Sequence, residues 1–387
     1  MRKSKKTKKR RIGTFTLEPD GFSIHTVELS MKLTKAEWRR CKNALYQQQK
    51  DLGEHWFYPD KACEGHHICT RYADAGIRIR LERSGTEENK GHFIRMIVNP
   101  RRLIYPQSDY LGILPPDEDS IELLEKTFRE LFRKSPFDNK INQYYLTRVD
   151  LCTNIRCNRK KIFRELVRLL HKTTTPKKYQ RVFYQHKDKK KANQYNKHYI
   201  RLACGSQELV IYDKTYQMSE NNLVVEYEGL PSGVLRVEVH YTRTKLRELQ
   251  KQLHTDNPME LLQVLIQESK VRICALATKC YPDLEYHSYE AGLAMVEASR
   301  YSDQTKEAMR TLLSQMRRRQ TIDAALHWMD KHDLKTDGLL KKFEKIGLSP
   351  IPLRKGYAAE RMPGLVEILR SIGEKPVEVG LVEWKWR

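Results

Sequence analysis

Three short stretches alternate between apolar and ionisable residues strictly enough to dictate a sheet. In residues 144–155 (YYLTRVDLCTNI), Arg148, Asp150, Cys152 and Asn154 share one parity, while Val149, Leu151 and Ile155 hold the other. In residues 233–241 (GVLRVEVHY), Arg236, Glu238 and His240 oppose Leu235, Val237 and Val239. In residues 207–217, Tyr212, Lys214 and Tyr216 oppose Ile211. Side chains of a strand point alternately to its two faces, so each stretch is apolar on one side and polar on the other. Antiparallel sheets with one packed face read this way.

The remaining pattern is mixed. Strands are predicted over 13–29, 76–83, 92–100, 179–186 and 198–203. Helices are predicted over 35–49, 120–133 and 159–172, with Thr34 and Ser120 as N-caps of the first two. From Thr244 to about Phe343 the periodicity is helical. The expected class is therefore α+β: a central, antiparallel-rich sheet with flanking helices, followed by a mostly helical C-terminal region. The expected divisions are a disordered basic arm over 1–12, an α+β domain over 13–255, a helical region over 256–347 and an unassigned, proline-containing tail over 348–387. Two short helices, around 320–331 and 337–346, follow Arg317, Arg318 and Arg319; they suit either a helix-turn-helix-like DNA reader or an ordinary bundle.

Charge narrows the partner. The formal net charge is +23, a field that attracts polyanions, nucleic acid first among them. Eight of the first eleven residues are Lys or Arg. A second concentration, residues 177–201, interleaves Lys189, Lys190, Lys191, Lys197 and Arg201 with Tyr179, Phe183, Tyr184, Tyr195 and Tyr199. Cations track phosphates and aromatic faces stack unpaired bases, so the mixture suits single-stranded or melted DNA. A hairpin with a solvated lysine turn gives the same composition. No apolar run reaches the roughly 18–20 residues of a membrane span, and no apolar stretch follows the basic N-terminus as in a secretory signal. Eight scattered cysteines fit reduced thiols of a cytosol.

The polar sides of the three strands carry the chemistry. Asp150 and Glu238, with His240, could hold a hard divalent ion such as Mg²⁺ or Mn²⁺, which would polarise a phosphate oxygen. A tyrosine hydroxyl could attack phosphorus, and Lys214 could offset charge growing on the phosphoryl oxygens. A plain solvent-facing sheet surface alternates in the same way. On a continuous strand Tyr216 would lie about 13 Å from Tyr212, four residues at roughly 3.3 Å each; a turn after Lys214 would bring it closer.

These segments carry a resemblance. Residues 147–154 (TRVDLCTN), 211–217 (IYDKTYQ) and 235–240 (LRVEVH) resemble, in order and spacing, the signature segments of rolling-circle replication initiators: the filamentous-phage replication endonucleases, the trans-acting Rep-type plasmid initiators and related conjugative relaxases. The likeness covers roughly 75–255, with a weaker one in the helical tail. It implies a nicking domain that cuts one DNA strand at a partly single-stranded origin. A tyrosine becomes joined to the 5′ phosphate, a 3′ hydroxyl is left to prime synthesis, and rejoining follows without ATP. It implies Tyr212 as nucleophile, Lys214 beside it, Asp150 and Glu238 as metal acids, a host helicase and polymerase as partners, and a bacterial cytoplasm. Asn154 stands where relatives often carry a second acid, Gln217 where many have Glu, and the His-hydrophobe-His metal motif of the wider superfamily is absent; His240 gains weight accordingly. A relaxase with the same chemistry, and a non-enzymatic DNA-binding regulator, are the alternatives.

Two further groups stand out. Cys63, His66, His67 and Cys69 form a compact set with zinc-type donors, cramped for one tetrahedral site; a reduced loop with incidental histidines is the commoner reading. Gly205-Ser206 reads as a hairpin turn. There is no Walker-type glycine-rich loop, hence no expectation of a built-in helicase.

Overall fold

The structure, a computed structural model, describes residues 6–84, 91–107, 111–117, 119–221, 233–355, 357, 359, 361–372 and 375–386. In chain order the elements begin with β1 (Lys6–Leu33), α1 (Lys35–Leu52), β2 (Phe57–Pro59), β3 (His67–Cys69), β4 (Ile77–Ser84), β5 (Gly91–Val98), α2 (Pro100–Ile104), α3 (Asp119–Phe132), β6 (Tyr145–Cys157) and α4 (Lys160–Lys172). They continue with β7 (Gln180–Arg181), α5 (Lys189–Asn196), β8 (Tyr199–Cys204), β9 (Gln207–Asp213), α6 (Lys214–Glu220), β10 (Gly233–Thr242), α7 (Arg243–Leu253), α8 (Pro258–Gln267) and α9 (Ser269–Cys280). The C-terminal part holds β11 (Tyr286–His287), α10 (Tyr289–Ala298), α11 (Asp303–Arg318), α12 (Ile322–Asp330), α13 (Leu339–Lys345), β12 (Arg361–Met362), α14 (Leu365–Ser371) and β13 (Val377–Trp386).

The alternating stretches become neighbours in one large antiparallel sheet, ordered β2-β3-β4-β5-β1-β6-β10-β9-β8-β7, with β13 added beside β1. The fold is the expected α+β class, with a helical C-terminal region. The apolar parity of β6 and β10 (Val149, Leu151, Ile155; Leu235, Val237, Val239) is fully buried, against α4, α7, α8 and α9. Removing these side chains from water is the main force fixing register, because a one-residue slip would turn every carboxylate inward. Gly233 opens β10 where α4 crosses: a Cβ there would sit 2.5 Å from the Phe163 ring. The opposite face carries the ionisable residues, and residues 111–117 lie over part of it, with the Leu111 carbonyl accepting from Asn154 and Arg236.

Several expectations are corrected. The basic arm is strand from Lys6 onward, paired with β13 from Lys6↔Trp386 to Phe15↔Val377; residues 1–5 lie outside the described residues. The pairing partner is remote in sequence, and ladder hydrogen bonds outweigh local charge repulsion there. Ser120 is not a cap: it lies inside α3, and its N–H is taken by the Asp117 carboxylate. Thr34 does cap α1, in a reciprocal capping box with Glu37. The strand expected over 179–186 shrinks to Gln180–Arg181, and the lysine run that follows is helical. The boundary at 255/256 is no break in packing, since α8 and α9 sit on the sheet. The helical region is tied to the sheet domain too: Lys172 Nζ at the end of α4 donates to the Met316 and Arg319 carbonyls at the end of α11, both at 2.7 Å. Among the described residues no helix is long and apolar enough to cross a membrane.

One buried group makes the fold acid-sensitive. The His171 imidazole, beside the exit of α4, is held down to about 4, by burial first and then by the Arg181 guanidinium, which lies 2.6 Å from Nδ1. The folded state therefore resists a proton that the unfolded chain takes up near pH 6.5. That contribution is complete above pH 6.5 and is lost as pH falls toward 4, at most on the order of 3 kcal/mol. Urea midpoints at pH 7 and pH 4.5 should accordingly separate less in His171→Gln than in the parent. Equal losses in both proteins would remove His171 as the cause.

Candidate functional site

The site is a product of register. On β6 and β10, His240 lies opposite Asp150, Glu238 opposite Cys152 and Arg236 opposite Asn154. On β10 and β9, Arg236 lies opposite Tyr212 and His240 opposite Glu208. Two acids, an imidazole, a guanidinium and a phenol thus converge on the polar face, and Asp150, Arg236, Glu238, His240 and Tyr212 are all buried.

Hydrogen bonds order the group. Tyr212 Oη donates to Glu238 Oε1 at 2.8 Å. His240 Nε2 lies 2.9 Å from Glu238 Oε2, and its Nδ1 lies 3.3 Å from Glu208 Oε2. Arg201 grips both oxygens of Glu208, at 2.9 and 2.7 Å. Arg148 does the same for Asp150, at 2.6 and 2.8 Å. A line of alternating charge therefore runs Arg201–Glu208–His240–Glu238 and ends on the phenol.

The electrostatics follow from that line. Burial opposes charge on His240, but Asp150, Glu208 and Glu238 outweigh it and raise the imidazole to about 9. Against burial, His240 and Arg201 hold Glu208 down to about 2, and His240, His25 and Arg236 hold Glu238 well below the usual carboxylate range. Burial pushes Asp150 up, against His240 and Arg148. Burial and then Glu238 raise the Tyr212 phenol well above its ordinary value, with Arg236 opposing. A single buried acid would be neutral; Glu208 and Glu238 stay ionised because each has cations beside it.

Asp150, Glu238 and His240 present ligating atoms within 4.8 Å of one another. Two carboxylates and an imidazole fit a hard divalent cation. The His240 ring and the Arg148 fork are bonded to the same carboxylates.

The other expected residues divide. Lys214 is buried, bonded to Gln217 Oε1 at 2.8 Å and 6.0 Å from the centre of the Tyr212 ring. It is not a strand residue: β9 stops at Asp213, whose carboxylate accepts from the Tyr216 N–H and caps α6. Tyr216 consequently leaves the sheet and stacks on His198, with centroids 3.9 Å apart. Lys189, Lys190, Lys191 and Lys197 are exposed on and just after α5. Arg201 is inside the site, on Glu208. Arg317 and Arg318 are exposed at the end of α11, with Arg317 over the Tyr289 ring, and Arg319 is half-buried over Trp328.

Two contributors escaped the sequence reading, Glu208 and His25. Glu208 shares the parity of Tyr212 and was legible on that ground. His25 was not: it occupies a bulge, where β1 advances two residues (Ile24 to Thr26) while β6 advances one (Leu151 to Asp150). The extra residue turns its ring to the polar face, 4.0 Å from Glu238 Oε1. A row of rings, Tyr184–Tyr195–Tyr199–Tyr212, has centroid steps of 4.4, 5.4 and 6.3 Å and leads from an exposed edge to the phenol. No protein-family model and no curated protein matches the chain, so any functional reading stands on this geometry.

Proposed function

We propose that the protein nicks one strand of DNA and later rejoins it through a tyrosyl phosphodiester at Tyr212, as an initiator of rolling-circle replication. The observation that carries the reading is the Tyr212 hydroxyl, 2.8 Å from a carboxylate that belongs to the one fully buried metal-type triad found among the described residues. A relaxase would use the same chemistry.

The residues divide the work as follows. The Tyr212 oxygen attacks the scissile phosphorus while the bond to the leaving O3′ breaks and O3′ takes up a proton from water, so the 5′ phosphate stays on the protein and a 3′ hydroxyl is freed. The phenolic proton has an acceptor in place, Glu238 Oε1. A carboxylate held so acidic takes that proton only as the new O–P bond makes the phenol a strong acid. Lys214, beside the ring, opposes the charge growing on the phosphoryl oxygens. A divalent cation on Asp150, Glu238 and His240 would supply Lewis acidity to the phosphate.

The same sheet face offers a track for the strand. Arg80, Arg95, Arg148 and Arg201 stand on β4, β5, β6 and β8 with side-chain exposures of 49, 42, 41 and 37%. The row of tyrosine rings supplies stacking platforms beside it. Supercoiled plasmid carrying the cognate origin should convert to open circles only with Mg²⁺ or Mn²⁺ present. Chelation should stop conversion, and cut DNA should retain protein at its 5′ end. Retardation of the plasmid without cleavage, in any metal, would replace this reading with that of a binding regulator.

A further inference from the structure

The hairpin loop between β2 and β3 gathers a second, chemically different set of donors. Two successive backbone turns, Cys63 N–H to the Asp60 carbonyl at 3.4 Å and His66 N–H to the Cys63 carbonyl at 3.1 Å, coil the loop so that every third residue faces one side. Gly65, at φ +79°, allows that path. Asp60, Cys63 and His66 thereby bring a carboxylate oxygen, a thiol and a ring nitrogen within 4.8 Å of one another. The compact set seen in the sequence is split: His67 and Cys69 turn inward on β3, where His67 stacks on Phe57 and Cys69 is buried.

His66 supplies the independent sign of a ligand. Its Nε2 lies 3.1 Å from the Arg83 carbonyl. A carbonyl only accepts, so Nε2 carries the proton and Nδ1 carries the lone pair. Nδ1 is buried and without a hydrogen-bond partner. A buried acceptor left bare costs about 1–3 kcal/mol, whereas a metal would satisfy it. Support of a ligating histidine by a backbone carbonyl on its other nitrogen is the usual arrangement of such sites. Asp60 is likewise held: its Oδ1 accepts from the Ala62 N–H at 2.9 Å, and its Oδ2 lies 3.9 Å from Arg80 Nη2.

We propose that Asp60, Cys63 and His66 form a binding site for a borderline-soft divalent metal, Zn²⁺ by preference, which pins the tip of the β2–β3 hairpin. Tetrahedral bonds of about 2.0–2.3 Å place neighbouring ligands roughly 3.3–3.7 Å apart, so closure needs a shift of about 1 Å. The exposed Cys63 side chain is free to make it. Thiolate and imidazole select zinc over magnesium or manganese, so this site and the acid-rich one are distinguishable by metal. Three protein ligands leave a fourth position for water.

The test uses the full chain, stripped by chelator and titrated with Co²⁺. A near-ultraviolet thiolate-to-cobalt charge-transfer band should appear, and Zn²⁺ should abolish it. Cys63→Ser should lose the band, and His66→Gln should weaken Co²⁺ binding at least about 100-fold, the upper end of what losing a supporting contact costs. In the parent protein, Zn²⁺ should also shield Cys63 from alkylation, mapped by mass spectrometry, which needs no variant to fold. A full band in Cys63→Ser, or unchanged alkylation of Cys63 in saturating Zn²⁺, would overturn the site. Neither outcome depends on nicking, which is read with Mg²⁺ or Mn²⁺ at the other centre.

Discussion

Tyr212→Phe should abolish strand cleavage and covalent capture, by about 10⁴-fold or more, the scale seen when a nucleophile is removed, and should leave DNA binding and its salt dependence intact. The variant removes one oxygen from a ring that is 6% exposed, so the packing of β9 on β8 and β10 is kept. The lost hydrogen bond costs about 1 kcal/mol of stability, too little to unfold the domain. Glu238 keeps His240 on its other oxygen, so the acid is not orphaned. On the proposed reading, binding would rest on phosphate contacts by arginines elsewhere on the face, and its salt slope would count those contacts. Tyr216→Phe is the control: its ring stacks on His198 and not on the carboxylates, and cleavage should persist. A gel assay of supercoiled origin plasmid, with mass spectrometry of the DNA-linked peptide, reads all of these. An adduct formed by Tyr212→Phe would move the nucleophile or end the mechanism.

The site was legible wherever strand parity alone decided it. Asp150, Glu238 and His240 were read onto one face because β6 and β10 are regular, and a regular antiparallel register then brings them together. Parity failed at each departure from regularity. β9 ends at Asp213 because its carboxylate caps a helix, so Tyr216 parts company from Tyr212 while Lys214 leaves the strand but stays beside its ring. The β1 bulge adds His25 to the face, and no alternation rule registers an extra residue. The basic arm was misread for another reason: its strand partner lies at the other end of the chain, where no local pattern announces it. The lysines of the lysine-and-tyrosine segment are exposed, but the backbone is not the strand expected, because Asp188 caps α5 just where the lysines begin.

Arg236 shows the opposite limit, a residue that parity puts on the polar face with the acids and whose place is structural. Its side chain is fully buried. Nε donates to Asn154 Oδ1 at 2.7 Å and Nη2 to the Leu111 carbonyl at 2.6 Å, while Asn154 donates to the same carbonyl at 2.5 Å. The guanidinium thus ties β10, β6 and the 111–117 segment together, and its charge opposes the rise of the Tyr212 phenol and helps keep Glu238 ionised. Arg236→Leu leaves the buried Asn154 Oδ1 without a donor, at about 1–3 kcal/mol, while the Leu111 carbonyl keeps only Asn154, and it removes the cation from beside the acids. The urea midpoint should fall by the equivalent of about 2–5 kcal/mol, among the largest losses any single change in the sheet produces. Arg236→Lys should recover only part of it, since one ammonium on a shorter stem cannot span the planar fork that serves Asn154 and Leu111 at once. Circular dichroism in urea separates the three proteins. If Arg236→Leu were as stable as the parent, the arginine would be a group held for the DNA, and the tie between the strands and the covering segment would have to come from Asn154 alone.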